Sequence, residues 1–271
     1  MKVLLTNDDG IGAQGLNDLR RALLEVPGVQ LAVIAPDSNR SATARSITTR
    51  RLLSVEEIEF QDGSPGYATD GTPVDCVRLG RLGLIDGFEA ELIVSGINHG
   101  SNLGDDITYS GTVAAALEGV LLGLPAIAVS QQSMARELDF RAGRDFDFAV
   151  GAAFVARMVE ELADVPLPEG TLLNVNVPGG TPDGVDVTTL GKRIYRDELT
   201  LVQEQDGRRR YQIYGDEPGF HDEPGTDLAA VAAGRIAVTP IHFDLTAHAE
   251  MEALRGYDLA RLLAPAARER E

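Results

Sequence analysis

Two adjacent carboxylates, Asp8 and Asp9, close a short apolar run and open a turn in the order Thr6-Asn7-Asp8-Asp9-Gly10. Carboxylates at the tip of a buried strand repel each other and lose hydration, an arrangement that persists when a cation or a proton sits between them. The pair therefore reads as a metal seat. Asn, Asp and Gly are also turn formers and Asp is a common N-cap, so the pair needs partners from elsewhere in the chain before it carries chemistry.

The elements that position the pair are legible. Lys2 to Thr6 is an apolar run with the length of a strand, and Leu16, Leu19, Leu23 and Val26 follow at helical spacing. Pro27-Gly28 ends that helix, and Val29 to Ala35 returns as a second buried strand. A βαβ unit of this kind makes the two strands parallel and adjacent, with a right-handed crossover.

Within the first turn, Gly10-Ile11-Gly12-Ala13-Gln14-Gly15 matches the dinucleotide-binding fingerprint, and Asp37 ends the second strand about twenty residues on. An NAD-binding oxidoreductase is the competing reading. Asp8 and Asp9 oppose it, because they place negative charge where a pyrophosphate would have to approach without a counterion.

Two polar segments reach the same carboxyl edge of the predicted sheet, where ligands bind in open α/β folds. One is Asp37 to Thr48, rich in hydroxyls and carrying Arg40 and Arg45. The other begins after the strand Glu91 to Ser95 and runs to Thr112. Its glycines, asparagines and few aliphatic side chains predict a functional loop with little to bury. Ser110-Gly111-Thr112 then starts a helix over Val113, Ala116, Leu117, Val120 and Leu121. Its backbone N–H groups and hydroxyls would make an anion seat, but Ser and Thr are also ordinary N-caps, and on spacing alone the capping reading wins.

With 271 residues, the chain can bury a sizeable core in one large α/β domain. Its 44% hydrophobic and 24% charged residues indicate neither disorder nor a membrane class. The net charge of −18 argues against binding a nucleic acid polymer through its phosphates. A small phosphorylated ligand stays open, because a bound cation inverts the local sign. A single cysteine, Cys76, and an opening without a signal-peptide pattern make a cytoplasmic protein the expectation.

Further along, Leu52 to Phe60 and Tyr67 to Thr69 suggest a small antiparallel excursion, and Gly71-Thr72-Pro73 starts a helix. A strand is expected over Ala126 to Val129, a helix over Phe146 to Leu162 and a strand over Leu172 to Val177. Asp206-Gly207 marks a hairpin between Leu199–Val202 and Tyr211–Tyr214, either a dimer contact or a surface ribbon. Asp227 to Ala233 reads as helix, Ile236 to Ile241 as a strand or edge, Ala249 to Leu263 as a terminal helix, and Arg268 to Glu271 as a fraying end.

Four blocks in order, Thr6-Asn-Asp-Asp-Gly, Ala35-Pro-Asp-Ser-Asn-Arg-Ser-Ala-Thr, Gly71-Thr-Pro-Val-Asp-Cys-Val and Val94-Ser-Gly-Ile-Asn-His-Gly through Ser110-Gly-Thr-Val, resemble the stationary-phase survival protein family SurE. The resemblance implies a Rossmann-like α/β fold with a mostly parallel sheet sandwiched by helices. It implies one domain over 1–271, with a core to about residue 190 and a protruding β-hairpin and C-terminal oligomerisation region over 191–271, giving a homodimer or homotetramer. It also implies a 5′/3′-nucleotidase, a divalent-metal phosphomonoesterase acting on nucleoside monophosphates, with no organic cofactor. Matched residue by residue, the metal ligands fall on Asp8, Asp9, Ser41 and Asn98. Asn7, Asn39, Asn102, Ser110, Gly111 and Thr112 match positions lining the family's site, where they would hold phosphate or orient ligands.

Two departures concern the loop after Ser41: Ala42 stands where a glycine is common, which puts the loop's conformation in question, and Arg45 replaces Asn or His. Arg45 is expected to add phosphate affinity or to face solvent. Two carboxylates, a hydroxyl and an amide oxygen are a hard ligand set suited to Mg²⁺ or Mn²⁺. Hydrolysis by metal-activated water, with Asp9 as general base, is the leading mechanism, and an aspartyl-phosphate on Asp8 the lesser one. A nucleotide-binding module without catalysis is the third class. No histidine is assigned a role.

Overall fold

A computed structural model describes residues 1–137, 145–162, 167–213 and 218–263. Its elements in chain order are β1 (Lys2–Thr6), α1 (Gln14–Leu24), β2 (Gln30–Pro36), β3 (Val55–Glu59), β4 (Pro65–Thr69), α2 (Pro73–Arg81), β5 (Leu92–His99), α3 (Gly111–Leu121), β6 (Ala126–Gln131) and α4 (Ala149–Leu162). They continue with β7 (Thr171–Val177), β8 (Val185–Val187), β9 (Arg193–Ile194), β10 (Thr200–Gln205), β11 (Arg208–Gln212), β12 (Gly219–Phe220), α5 (Asp227–Ala232), β13 (Ile236–His242) and α6 (His248–Arg255).

Nine strands form one sheet in the order β3-β4-β2-β1-β5-β6-β7-β13-β8. The pairings from β4 to β7 are parallel, while β3 runs antiparallel to β4 and β13 antiparallel to β7. Because side chains alternate along a strand, Val3 and Leu5 of β1 pack into one cluster with α1 and α4, and Leu4 packs into the opposite cluster with α2 and α3. The sheet is thus covered on both faces, as the near-continuous burial of its central strands requires. β1 lies between β2 and β5, so its carboxyl end is the point where the strand order reverses and a crevice opens. Asp8 and Asp9 follow directly.

Several expectations are sharpened. The excursion over residues 55–69 is the edge of the main sheet, with β4 joined in parallel to β2. The division at residue 190 is crossed by β13, which pairs between β7 and β8, so residues 236–242 belong to the core. The stretch after Ser95 is not a loop with little to bury. β5 continues through His99, and Ser101, Asn102, Leu103 and Asp106 are buried. The terminal helix stops at Arg255, capped by Gly256, and a short 3₁₀ turn over Leu259–Leu263 follows. The β10–β11 hairpin is exposed along its whole length, and its Asp206-Gly207 turn has both residues in left-handed backbone, as a two-residue hairpin needs. Tyr214 and the fraying expected over 268–271 lie outside the described residues. No helix among the described residues is long and apolar enough to cross a membrane.

Candidate functional site

The turn after β1 is built around Asn7. Its side-chain amide donates to Gly10 O (2.9 Å) and its Oδ1 accepts from Gly10 N (3.2 Å), closing the turn from inside. Gly10 is in left-handed backbone, and a Cβ there would stand 3.2 Å from Ser38 C. Asn7 is fully buried and spent on this geometry. The consequence is that Asp8 and Asp9 are held at the mouth of the crevice by backbone shape, with no side-chain freedom needed to bring them there.

Asp8 is 3% exposed and sits against the N-terminus of α3. Thr112 Oγ1 donates to Asp8 Oδ1 at 2.5 Å. A Cβ on Gly111 would lie 2.7 Å from Asp8 Cβ and 2.8 Å from Asp8 Oδ2, so only glycine admits the carboxylate at this distance. Burial, and then the charge of Asp9, push the Asp8 carboxyl up to about 6, against the opposing effect of the Thr112 hydrogen bonds. A buried carboxylate that resists ionisation beside a second carboxylate is one that a cation stabilises.

Asp9 is oriented from both sides. Its Oδ2 accepts from His99 N (3.0 Å) and lies 2.8 Å from His99 Nδ1, while Oδ1 accepts from Asn39 Nδ2 (3.1 Å). Phe146 and Phe148 make T-shaped contacts with the imidazole at centroid distances of 5.2 and 4.8 Å.

The other expected ligands arrive from separate segments. Asn98, near the end of β5, donates from Nδ2 to Gly100 O at 2.6 Å, and no described residue donates to its Oδ1. Ser41 lies in the loop after β2, which is tied to the pair by Arg40 N donating to Asp8 O at 2.6 Å and by Asn39 Nδ2 donating to Asp9 Oδ1; within the loop Ser41 N donates to Asn39 Oδ1 at 2.9 Å. Asp8, Ser41, Asn98, Asn102 and Ser110 line one cavity of about 240 Å³. Asp9, Asn39, Asn7, Gly111 and Thr112 stand behind or beside that lining. Among the described residues no group of three or more His, Cys, Asp and Glu side chains is placed to hold a metal. A complete ligand set here depends on the hydroxyl of Ser41 and the amide oxygen of Asn98.

The polar residues differ in what they can do. Ser110 Oγ accepts from Val113 N (3.1 Å) as the N-cap of α3, which leaves its own proton to donate into the cavity. Capping and ligand contact are compatible here. Asn102 belongs to a buried network: its N donates to Asn176 Oδ1, its O accepts from Asn174 and Asn176, and its Nδ2 donates to Ser130 Oγ. It shapes the cavity wall.

Sequence reasoning misses His99, Asp106 and Tyr109, which also line the cavity. Asp106 is held by Arg193 Nε (2.6 Å) and by Tyr195 Oη (2.8 Å), from the segment that leads into the exposed hairpin. Asn174 and Asn176 on buried β7 are a usable signal, since two amides at i, i+2 point to one face and need partners there. The dinucleotide fingerprint loses its parts. Gly10 serves the turn, Gly15 packs where a Cβ would meet Ile97 O at 2.1 Å, and Asp37 accepts from Arg40 and Ser38.

The family model described as Survival protein SurE matches residues 3–197. The chain is 51% identical over 267 residues to a protein named 5′-nucleotidase SurE from Rubrobacter xylanophilus, covering 97% of this chain and 99% of that one. It is 43% identical to the protein of the same name from Symbiobacterium thermophilum, covering 95% and 98%. The crystal structure of the SurE protein from Aquifex aeolicus superposes with a TM-score of 0.78 at 36% identity, covering 94% of this chain and 98% of that one.

Proposed function

This chain belongs to the SurE family, and we propose that it is a divalent-metal-dependent phosphomonoesterase that hydrolyses nucleoside 5′- and 3′-monophosphates to nucleoside and phosphate. The observation that carries this reading is the buried Asp8 carboxylate beside Asp9, at a cavity that also receives Asn98 and Ser41.

Asp8, Asp9, Ser41 and Asn98 would hold one Mg²⁺ or Mn²⁺ ion per subunit, an all-oxygen set that fits hard cations. Bound there, the ion supplies neutralisation of the phosphoryl oxygens and acidification of a water. The protein's own residues do the rest. His99 and Asn39 fix the Asp9 carboxylate, and Thr112 fixes that of Asp8, so neither has to reorganise during the reaction. The N-terminus of α3 brings its positive dipole end to the cavity, and the Ser110 hydroxyl has a proton to give to a phosphoryl oxygen. We assign Asp9 the further role of accepting the proton from the attacking water. A cavity of about 240 Å³ takes the phosphate and sugar end of a nucleotide and leaves the base towards its rim, where Tyr109 is 59% exposed.

The reading extends to assembly as a homodimer or homotetramer. α6 has no buried residue, and Leu245, Leu254, Leu262 and Leu263 around it are all more than half exposed, which leaves apolar area for a second copy to cover. The test of function is phosphate release from nucleoside 5′- and 3′-monophosphates by wild type and Asp9→Asn, with Mn²⁺ or Mg²⁺ and with EDTA. Release that needs the metal and disappears in Asp9→Asn supports the assignment; equal turnover by the variant overturns it.

A further inference from the structure

We propose that Arg45 is a positioning residue for the site: clamped by Glu118 and the face of Phe243, it holds the Ser41–Ala44 turn, with Ala42 and Ala44 in left-handed backbone, beside the cavity. The inference rests on the reading of Ser41 as a metal ligand.

The turn is strained. Ala42 and Ala44 have φ of 57° and 51°, values that an L side chain with a Cβ rarely adopts and that glycine would take freely. Ala42 lines the cavity next to Ser41, so the strain lies at the site itself. Two alanines in this conformation persist only where the surroundings over-determine the backbone.

Arg45 immediately follows. Its guanidinium lies 2.7 Å from Glu118 Oε2 and 4.9 Å from the centre of the Phe243 ring. Glu118 is on α3, the helix whose first turn carries Ser110, Gly111 and Thr112, and its carboxylate is 1% exposed. A carboxylate buried that deeply demands cations, and Arg78 of α2 supplies the second at 2.7 Å from Oε1. Arg45 is half-buried and its charge is spent on Glu118. It fastens one end of the strained turn to the helix that forms the opposite wall of the cavity. The other end is fastened by Arg40 N donating to Asp8 O, and Ala44 N, next to Arg45, donates to Tyr109 O at 3.2 Å. Thr43 Oγ1 donates back to Arg40 O at 2.7 Å.

Such a clamp lets the site present Ser41 without ordering the loop at the moment of binding. Without it, only the fraction of molecules with the turn in place is competent, and apparent affinity falls by that fraction. Loss of an outer residue that orients a metal ligand weakens binding by about 10-fold or more.

The experiment compares wild type, R45M, R45M/A42G and R45M/E118Q by hydrogen exchange of segment 40–45 without metal, Mn²⁺ titration calorimetry, and steady-state kinetics on a nucleoside 5′-monophosphate. R45M is expected to exchange faster at Ala44, to bind Mn²⁺ on the order of 10-fold more weakly, and to keep its kcat at saturating Mn²⁺. A42G removes the strain at one of the two alanines and should restore part of the Mn²⁺ affinity in the R45M background. R45M/E118Q also removes the buried carboxylate that R45M leaves with Arg78 alone, so it should reproduce R45M while keeping the fold even if R45M does not. Wild-type exchange and Mn²⁺ affinity in the variants, or no recovery with A42G, overturn the proposal. If the wild type itself releases no phosphate, the functional reading fails, while the exchange and Mn²⁺ measurements still judge the clamp.

Discussion

Replacing Asp8 with asparagine is expected to make the metal-free protein more stable while abolishing its activity. Asp8 is 3% exposed and its carboxyl is pushed up to about 6, first by burial and then by Asp9. Relative to an unfolded carboxyl near 4, that is about two pH units, or about 3 kcal/mol against the ionised folded state. Because the folded value is raised, the group's relative stabilisation is fully present below pH 4 and is lost as pH rises through about 6. The substituted amide keeps an oxygen for the Thr112 hydroxyl and carries no charge. The gap between Asp8→Asn and wild type should therefore be near zero at pH 4 and reach about 3 kcal/mol at pH 7.5, roughly 5–10 °C in melting temperature for a chain of this size. Thermal and urea unfolding of EDTA-treated protein at the two pH values measures it, and Mn²⁺ should narrow the gap by stabilising wild type alone. A variant no more stable than wild type at pH 7.5, or a gap independent of pH, would refute the argument that this carboxylate is held ionised at a cost.

Three further outcomes follow from the same geometry. Gly111→Ala puts a methyl group 2.7 Å from Asp8 Cβ, and should lower kcat/KM by about 100-fold through displacement of the carboxylate while circular dichroism stays native. His99→Ala frees Asp9 Oδ2 from the imidazole, and calorimetry should show Mn²⁺ bound about 10-fold more weakly. Asn176→Ala strips hydrogen bonds from both the N and the O of Asn102. It should cost about 2–4 kcal/mol in urea unfolding and speed hydrogen exchange across residues 100–106.

How much of this is legible in the sequence depends on how local the cause is. The β1–turn–α1–β2 unit can be read because its hydrophobic spacing, its turn residues and its carboxylates are neighbours in the chain. Convergence of Ser41 and Asn98 on Asp8 is expected from motif resemblance and sheet-edge logic, and the three side chains do line one cavity. The stretch after Ser95 misleads because its polarity resembles that of an exposed loop. Its buried backbone is satisfied by Asn174, Asn176 and Asp227, partners far downstream that no local pattern announces. The same long-range pairing hides β13 inside the sheet and Arg193 beneath Asp106. Ala42 is the converse case, since the missing glycine leaves the turn's conformation in question, and the structure keeps the left-handed turn with alanine in place.

The central claim is that Asp8 and Asp9 form a cation seat for phosphomonoester hydrolysis. The most direct measurement is inorganic phosphate released from a panel of nucleoside 5′- and 3′-monophosphates by metal-stripped protein, before and after Mn²⁺ or Mg²⁺ is added back. The account predicts negligible release after stripping, recovery on adding back the ion, and no recovery in Asp9→Asn. Release that persists in EDTA, or that Asp9→Asn supports as well as wild type does, would contradict it.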